Sequence, residues 1–90
     1  MSQPDLSRAL GFALACHDGQ VRKGTDVPYV SHLLQVAGMV LEYGGDMEQA
    51  TAGMLHDAVE DCDEVTLEIV RAEFGDRVAA IVRDCTDTFE

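Results

Sequence analysis

The sequence predicts an all-α fold, a compact bundle of about five helices joined by short connections. Apolar residues recur at intervals of three and four along most of the 90 residues, which is the spacing of one helix face. Glycine or a capping residue separates each of these segments from the next. No segment alternates apolar and polar residues as a half-buried strand does.

The first helix is predicted over Gln3–Cys16, with Gly19 as its C-terminal stop. Its apolar face consists of Leu6, Leu10, Ala13 and Leu14. A loop over residues 19–27 follows, and it carries Arg22 and Lys23, the only adjacent pair of basic residues in the sequence. Such a pair in a loop is usually solvated, so by itself it does not indicate a binding site.

The second helix starts after Pro28, which pre-sets an early helical turn, and it ends at Gly44 and Gly45. Its apolar stripe consists of Leu33, Val36, Ala37, Val40 and Leu41. His32 lies directly before this stripe. A lone histidine at such a place is more often a hydrogen-bonded structural residue than a metal ligand.

The third helix is predicted from its cap at Asp46 to about residues 62–63, and its two sides differ in chemistry. One side is apolar and consists of Met47, Ala50, Met54, Leu55, Ala58 and Val59. At about 100° per residue, the other side gathers four polar residues within an arc of about 140°. These are His56, Asp57, Glu60 and Asp61. The arc has no basic residue, and like charges four residues apart repel, so it is either a solvated acidic face or a site for a cation.

Two shorter helices complete the bundle. Thr66 caps a helix over about residues 67–74, and Gly75 stops it. Asp76 is predicted to cap the fifth helix. The apolar face of the fifth helix consists of Val78, Ala79, Ile81, Val82 and Cys85.

Composition excludes several classes of protein. No apolar run approaches the ~20 residues of a membrane span, and Met1–Gly11 lacks the pattern of a signal peptide, so we expect a cytoplasmic protein. Cys16, Cys62 and Cys85 form no C-x-x-C pair and are expected to be reduced thiols rather than a disulfide frame or a zinc knuckle. The net charge of −11 argues against nucleic acids and anionic membranes as partners.

The charges are unevenly distributed, and this suits a metal ion. From Gly24 to Val70 there is no Lys or Arg, although acidic residues are frequent there. Antiparallel packing of helices 2 and 3 would bring His32 close to His56 and Asp57. Two imidazoles and a carboxylate form a mixed nitrogen and oxygen site that suits Mn, Fe, Co or Zn, and three protein ligands leave room for a water molecule that the metal activates.

Four sequence blocks, in this order and spacing, carry a family resemblance. The blocks are His17-Asp18-Gly19-Gln20-Val21-Arg22-Lys23, Pro28-Tyr29-Val30-Ser31-His32, Leu55-His56-Asp57-Ala58-Val59-Glu60-Asp61 and Phe74-Gly75-Asp76-Arg77-Val78. Together they resemble the hydrolase domain of the RelA/SpoT family, within the HD superfamily of metal-dependent phosphohydrolases. The resemblance covers roughly Ala9 to Thr86.

The resemblance implies a role for each block. His32, His56 and Asp57 would bind one divalent metal ion, commonly Mn²⁺ in that family. Glu60 and Asp61 would orient or deprotonate the attacking water. Arg22 and Lys23 would contact the phosphorylated substrate. The implied reaction is removal of the 3′-pyrophosphate from (p)ppGpp or a related nucleotide. His17 has no metal role to carry over, and a local hydrogen bond at the end of helix 1 is expected for it.

The sequence departs from the family in one respect. The resemblance implies a further metal-ligating aspartate on a much later helix, and neither Asp84 nor Asp87 matches its position. Residues 1–90 are therefore interpreted as a single, partial HD-type hydrolase domain, its N-terminal half. The alternative function is a catalytically incomplete domain that binds metal or nucleotide and associates with itself through uncovered apolar faces.

Overall fold

The computed structural model of the protein describes residues 3–89, and the side chains of residues 6–85. Within this part of the chain the all-α prediction is confirmed, since five helices form and no strand does. The helices are α1 (Gln3–Cys16), α2 (Val30–Glu42), α3 (Met47–Asp61), α4 (Leu67–Phe74) and α5 (Asp76–Phe89). None of the described helices is long and apolar enough to cross a membrane.

Helix α3 is the centre of the bundle. It packs against α1, α2 and α5, and α4 packs against α5. The sequence predicted one apolar face for α3, but its burial extends further: the fully buried residues include Thr51 and Ala52 as well as the predicted Leu55. The hydroxyl of Thr51 donates to the carbonyl of Met47 at 2.7 Å, which satisfies it inside the core.

The capping residues place the ends of α3 and α4 where the sequence predicted them. The Asp46 carboxylate accepts from the backbone N–H of Gln49 at 2.9 Å, and the Gln49 side-chain oxygen accepts from the Asp46 N–H at the same distance. The hydroxyl of Thr66 accepts from the N–H of Ile69 at 3.2 Å.

The predicted cap of α5 was wrong by one residue. Asp76 is already the first helical residue. The carbonyl of Gly75 accepts the first bond of the helix, from the N–H of Ala79 at 3.2 Å. Gly75 has a φ of 97°, which strongly favours glycine. Gly75 therefore both ends α4 and caps α5, because a single residue separates the two helices.

A charge cluster at the start of α3 leads to a prediction about pH. Arg77 donates to the carboxylates of Asp46, at 2.7 Å, and Glu48, at 2.8 Å. The N–H of Gln49, and then Arg77, hold the pKa of Asp46 below its usual range. A lowered folded-state pKa gives stability that is present above the unfolded value and is lost as pH falls through the folded value. We expect Asp46→Asn, which keeps the cap, to reduce the fall in thermal midpoint below about pH 4. An unchanged pH profile would contradict this.

Two adjacent leucines of α2 test the core. Leu33 is fully buried, whereas Leu34 is 48% exposed. We expect Leu33→Ala to lower the free energy of unfolding by about 2–5 kcal/mol, because it leaves a cavity. Leu34→Ala removes the same atoms from the surface and should change it by less than about 0.5 kcal/mol. Urea denaturation of both variants measures the difference, and equal losses would refute this assignment of the core.

Helix α2 carries much of the exposed apolar surface among the described residues. Leu34, Met39, Leu41 and the adjacent Tyr43 are all exposed, Tyr43 by 83%. The predicted self-association would depend on such a surface, and it stays a prediction.

Candidate metal centre

His56 and Asp57 form a contact on the open side of α3. The Nδ1 of His56 lies 2.6 Å from the carbonyl oxygen of Gly53, one turn earlier. A carbonyl can only accept, so Nδ1 carries the hydrogen. In the neutral imidazole, Nε2 then holds a lone pair. This nitrogen lies 3.1 Å from Oδ1 of Asp57.

Two acceptor atoms that face each other require a cation between them. A proton on Nε2 supplies it when no metal is present, and hydrogen bonding to Asp57 raises the pKa of His56 accordingly. A metal ion fits the same pair. Metal bonds of about 2.1 Å, meeting at about 90–109°, hold neighbouring ligand atoms about 3.0–3.4 Å apart. The observed separation of 3.1 Å lies in this range, so the donor atoms fit a divalent metal.

The second oxygen of Asp57 is also engaged. The hydroxyl of Tyr29 donates to Oδ2 across the interface between the start of α2 and α3. The hydrogen bond from His56, and then that from Tyr29, lower the pKa of Asp57 to about 2. Burial and the Asp57 carboxylate raise the pKa of Tyr29 well above its usual value. Asp57 is therefore an oriented carboxylate anion at neutral pH, as a metal ligand must be.

His32, the third predicted ligand, lies near the start of α2. It lines an open cavity of about 700 Å³ together with His56, between α2, α3 and α5. Its ring centre is 5.6 Å from that of Tyr29, and its charge contributes to the lowered pKa of Asp57. Among the described side chains, no three His, Cys, Asp or Glu residues are already arranged around a common metal position. The structure thus places His56 and Asp57 in contact, and it places His32 on a cavity that His56 also lines, but it does not gather all three predicted ligands around one position.

Glu60 and Asp61, the predicted residues for water activation, lie one turn beyond the His56–Asp57 pair. Both are exposed. Glu60 acts electrostatically on His56, whereas Asp61 acts on Tyr29. Both carboxylates are therefore near enough to influence the charges of the centre.

The loop with Arg22 and Lys23 is ordered by its own backbone. The N–H of Arg22 donates to the carbonyl of Val27 at 2.9 Å. The Thr25 hydroxyl donates to the Arg22 carbonyl and accepts from the Val27 N–H, each at 3.0 Å. Both basic residues line a shallow cavity of about 550 Å³. The positive charge of Arg22 opposes the rise in the pKa of Tyr29, so the basic loop interacts electrostatically with a residue of the centre.

The two cavities are lined by neighbouring residues of α2. Ser31 and Gln35 line the cavity of the basic loop. Their sequence neighbours His32 and Val36 line the cavity of the centre. Adjacent helical residues differ by about 100°, so a ligand that spans these residues would contact both cavities.

His17 packs against Tyr29 on the buried side of the centre. As expected, His17 makes a local hydrogen bond after α1, from its Nδ1 to the Gln20 side-chain oxygen at 2.8 Å. It is buried, and its ring centre lies 4.8 Å from that of Tyr29. Its Nε2 has no partner among the described residues. From the sequence, Tyr29 was considered only as a residue that could line the pocket, and its contact with Asp57 was not predicted.

The chain is similar to a known family and to several known proteins. The profile of a family described as "HD domain" matches residues 9–89. A probable guanosine-3′,5′-bis(diphosphate) 3′-pyrophosphohydrolase of Synechocystis is 41% identical over 90% of the chain, which covers 10% of that relative. The guanosine-3′,5′-bis(diphosphate) 3′-pyrophosphohydrolase of Aquifex aeolicus is 43% identical over 91% of the chain and 12% of the relative. A GTP pyrophosphokinase of Streptomyces coelicolor is 43% identical over 90% of the chain and 9% of the relative.

The chain spans about a tenth of the length of these relatives, and their names include both a hydrolase and a pyrophosphokinase. The resemblance to RelA/SpoT-type proteins drawn from the four sequence blocks is confirmed. With a profile match over residues 9–89, the chain belongs to the HD domain family.

Proposed function

We propose that this chain is a metal-dependent phosphohydrolase of the HD type that removes the 3′-pyrophosphate from (p)ppGpp or a related nucleotide. One observation carries the proposal. The lone pair of His56 Nε2 and Oδ1 of Asp57 face each other at 3.1 Å, with Nδ1 held by the Gly53 carbonyl. A histidine that binds a metal through one ring nitrogen usually donates the other N–H to a carbonyl or carboxylate, as His56 does to Gly53.

His56, Asp57 and His32 would hold the metal ion, and Mn²⁺ is the proposed metal. When bound, a divalent ion lowers the pKa of water and polarises a phosphoryl oxygen. His32 would complete the set by a side-chain movement across the cavity that it shares with His56. Carboxylate and imidazole donors also suit Fe, Co and Zn.

The carboxylates after the pair would manage the water. Glu60 and Asp61 are exposed on the helix that carries His56 and Asp57, and a carboxylate can serve as a general base. They lie one turn after His56 and Asp57 along α3. We propose that one of the two orients the attacking water and takes its proton.

The basic loop would bind the substrate. A nucleotide with several phosphate groups meets repulsion from a chain of net charge −11. Arg22 and Lys23, on a loop that its own hydrogen bonds hold in place, offer local positive charge beside the centre. Guanidinium groups bind phosphate oxygens in pairs. The loop would therefore hold the phosphates while the reacting group lies near the metal ligands.

The direct test is release of pyrophosphate from ppGpp by the chain with Mn²⁺, Fe²⁺, Co²⁺ or Zn²⁺. We expect turnover with at least Mn²⁺. No turnover with any of the four ions, in a chain whose helicity is intact by circular dichroism, would overturn the proposal.

Arg22→Ala tests the role of the basic loop. We expect KM to rise about 10–100-fold, because the variant loses a hydrogen bond to a charged group, worth about 1.5–3 kcal/mol. Arg83→Ala is the matched control, since Arg83 is 55% exposed on α5 and its ion pair is with Asp84. It removes the same charge from the chain and should leave KM within about twofold. Equal effects of the two variants would indicate a general effect of charge and contradict a binding role for the loop.

A further inference from the structure

Two cysteines from different helices meet at the edge of the centre. Cys16 is the last residue of α1, and Cys62 is the C-cap of α3. Both approach the same carbonyl group. The oxygen of Ala58 accepts the backbone N–H of Cys62 at 2.9 Å, and the Sγ of Cys16 lies 3.9 Å from it.

The two thiol groups also interact with each other. A side-chain hydrogen bond and the electrostatic effect of Cys62 both act on Cys16. Both side chains are partly exposed, so small reagents can reach them. Cys85 is different, because it lies on α5 and lines the cavity of His32 and His56. All three cysteines are free in the structure.

The environment of Cys16 sets the order in which the thiols react. Burial, and then its interaction with Cys62, raise the pKa of Cys16 to about 12. Since the thiolate is the nucleophile, the raised pKa disfavours attack by Cys16 on a disulfide reagent. Once Cys62 is joined to another sulfur, its own contribution to the raised pKa of Cys16 is lost, whereas that of burial remains.

We propose that Cys16 and Cys62 form a dithiol site that a low-molecular-weight disulfide, of the class of oxidised glutathione, converts into an intramolecular disulfide. The Cys62 thiolate attacks one sulfur of the reagent, whose S–S bond breaks and releases one thiol. The Cys16 thiolate then attacks the Cys62 sulfur and displaces the second thiol. The two cysteines lose two protons and two electrons in total, and the reagent is reduced to two thiols.

The new bond would join the end of α1 to the end of α3. Cys16 directly precedes His17, whose ring lies against Tyr29, and Cys62 directly follows Asp61. The dithiol site is thus beside the candidate metal centre but uses none of its ligands. It does not depend on the proposed function.

Peptide mapping of the intact chain tests the proposal. The reduced chain is incubated with oxidised glutathione, its remaining thiols are alkylated, and it is digested with trypsin. The basic residues divide the chain so that peptides 9–22, 24–71 and 84–90 each contain one cysteine. We expect peptide 9–22 joined to peptide 24–71, in a monomer that has lost two hydrogen atoms.

Other results would overturn the proposal. They are linkages that contain Cys85 at equal yield, glutathione adducts that persist on Cys16 and Cys62, or disulfides only between chains. Cys85→Ser should leave the linkage unchanged, whereas Cys62→Ser should abolish it and leave Cys16 reduced. The peptide map of the unmodified chain decides the matter even if a variant fails to fold.

Discussion

Replacing Asp57 by asparagine is expected to lower the affinity of the chain for Mn²⁺ by more than about 100-fold, since loss of a partner that only orients a ligand already costs about 10–100-fold. Asparagine keeps the shape of the side chain and can still accept from Tyr29, but it lacks the charge. The carboxylate has its pKa lowered to about 2 and is ionised at neutral pH. An amide in its place presents no anion beside His56.

Isothermal titration calorimetry with MnCl₂ measures this loss, and Asp61→Asn is the matched control. Asp61 is exposed on the same helix, one turn beyond Asp57. Its loss should change Mn²⁺ affinity by less than about tenfold, yet lower pyrophosphate release if it acts on the water. Equal loss of affinity in both variants would mean that the metal responds to the total negative charge of α3, and it would contradict a specific ligand role for Asp57.

The fold was largely predictable because local signals and tertiary packing agree. Asp46 and Thr66 stand one residue before α3 and α4, and their side chains make the capping bonds that their residue types favour. Gly75 shows where local reasoning stops. It was read as the end of α4, but the turn with φ of 97° also makes it the cap of α5. Local sequence signals do not specify how many residues separate two consecutive helices.

The candidate site was predictable in part, for a related reason. The neighbours His56 and Asp57 lie side by side on any helix, so helical periodicity alone puts them on one face. The contact of Tyr29 with Asp57 depends on how the loop over residues 17–29 folds against α3. Within this loop the Tyr29 N–H donates to the Gln20 carbonyl at 2.9 Å. No spacing rule reaches across 28 residues. Likewise, the hydrogen on Nδ1 of His56 becomes evident only from the Gly53 carbonyl.

Tyr29→Phe is expected to lower Mn²⁺ affinity about 10–100-fold, although Tyr29 is not a proposed ligand. Its hydroxyl donates to Oδ2 of Asp57, which leaves Oδ1 directed at Nε2 of His56. Without that bond the carboxylate can rotate. The entropic cost of fixing its orientation then reduces the free energy of metal binding. Phenylalanine retains the ring between His17 and His32, so the packing of the centre is preserved.

Tyr43→Phe is the matched control for this experiment. Tyr43 lines the same cavity as His32 and His56, but it is 83% exposed and follows the end of α2. Loss of its hydroxyl should leave Mn²⁺ affinity within about twofold, as expected for a surface substitution. If Tyr29→Phe lowered the thermal midpoint but left Mn²⁺ affinity equal to that of Tyr43→Phe, Tyr29 would serve the fold alone. A loss of affinity confined to Tyr29→Phe would mean that a residue of the loop before α2 sets the geometry of a carboxylate on α3, and thereby couples the basic loop to the metal centre.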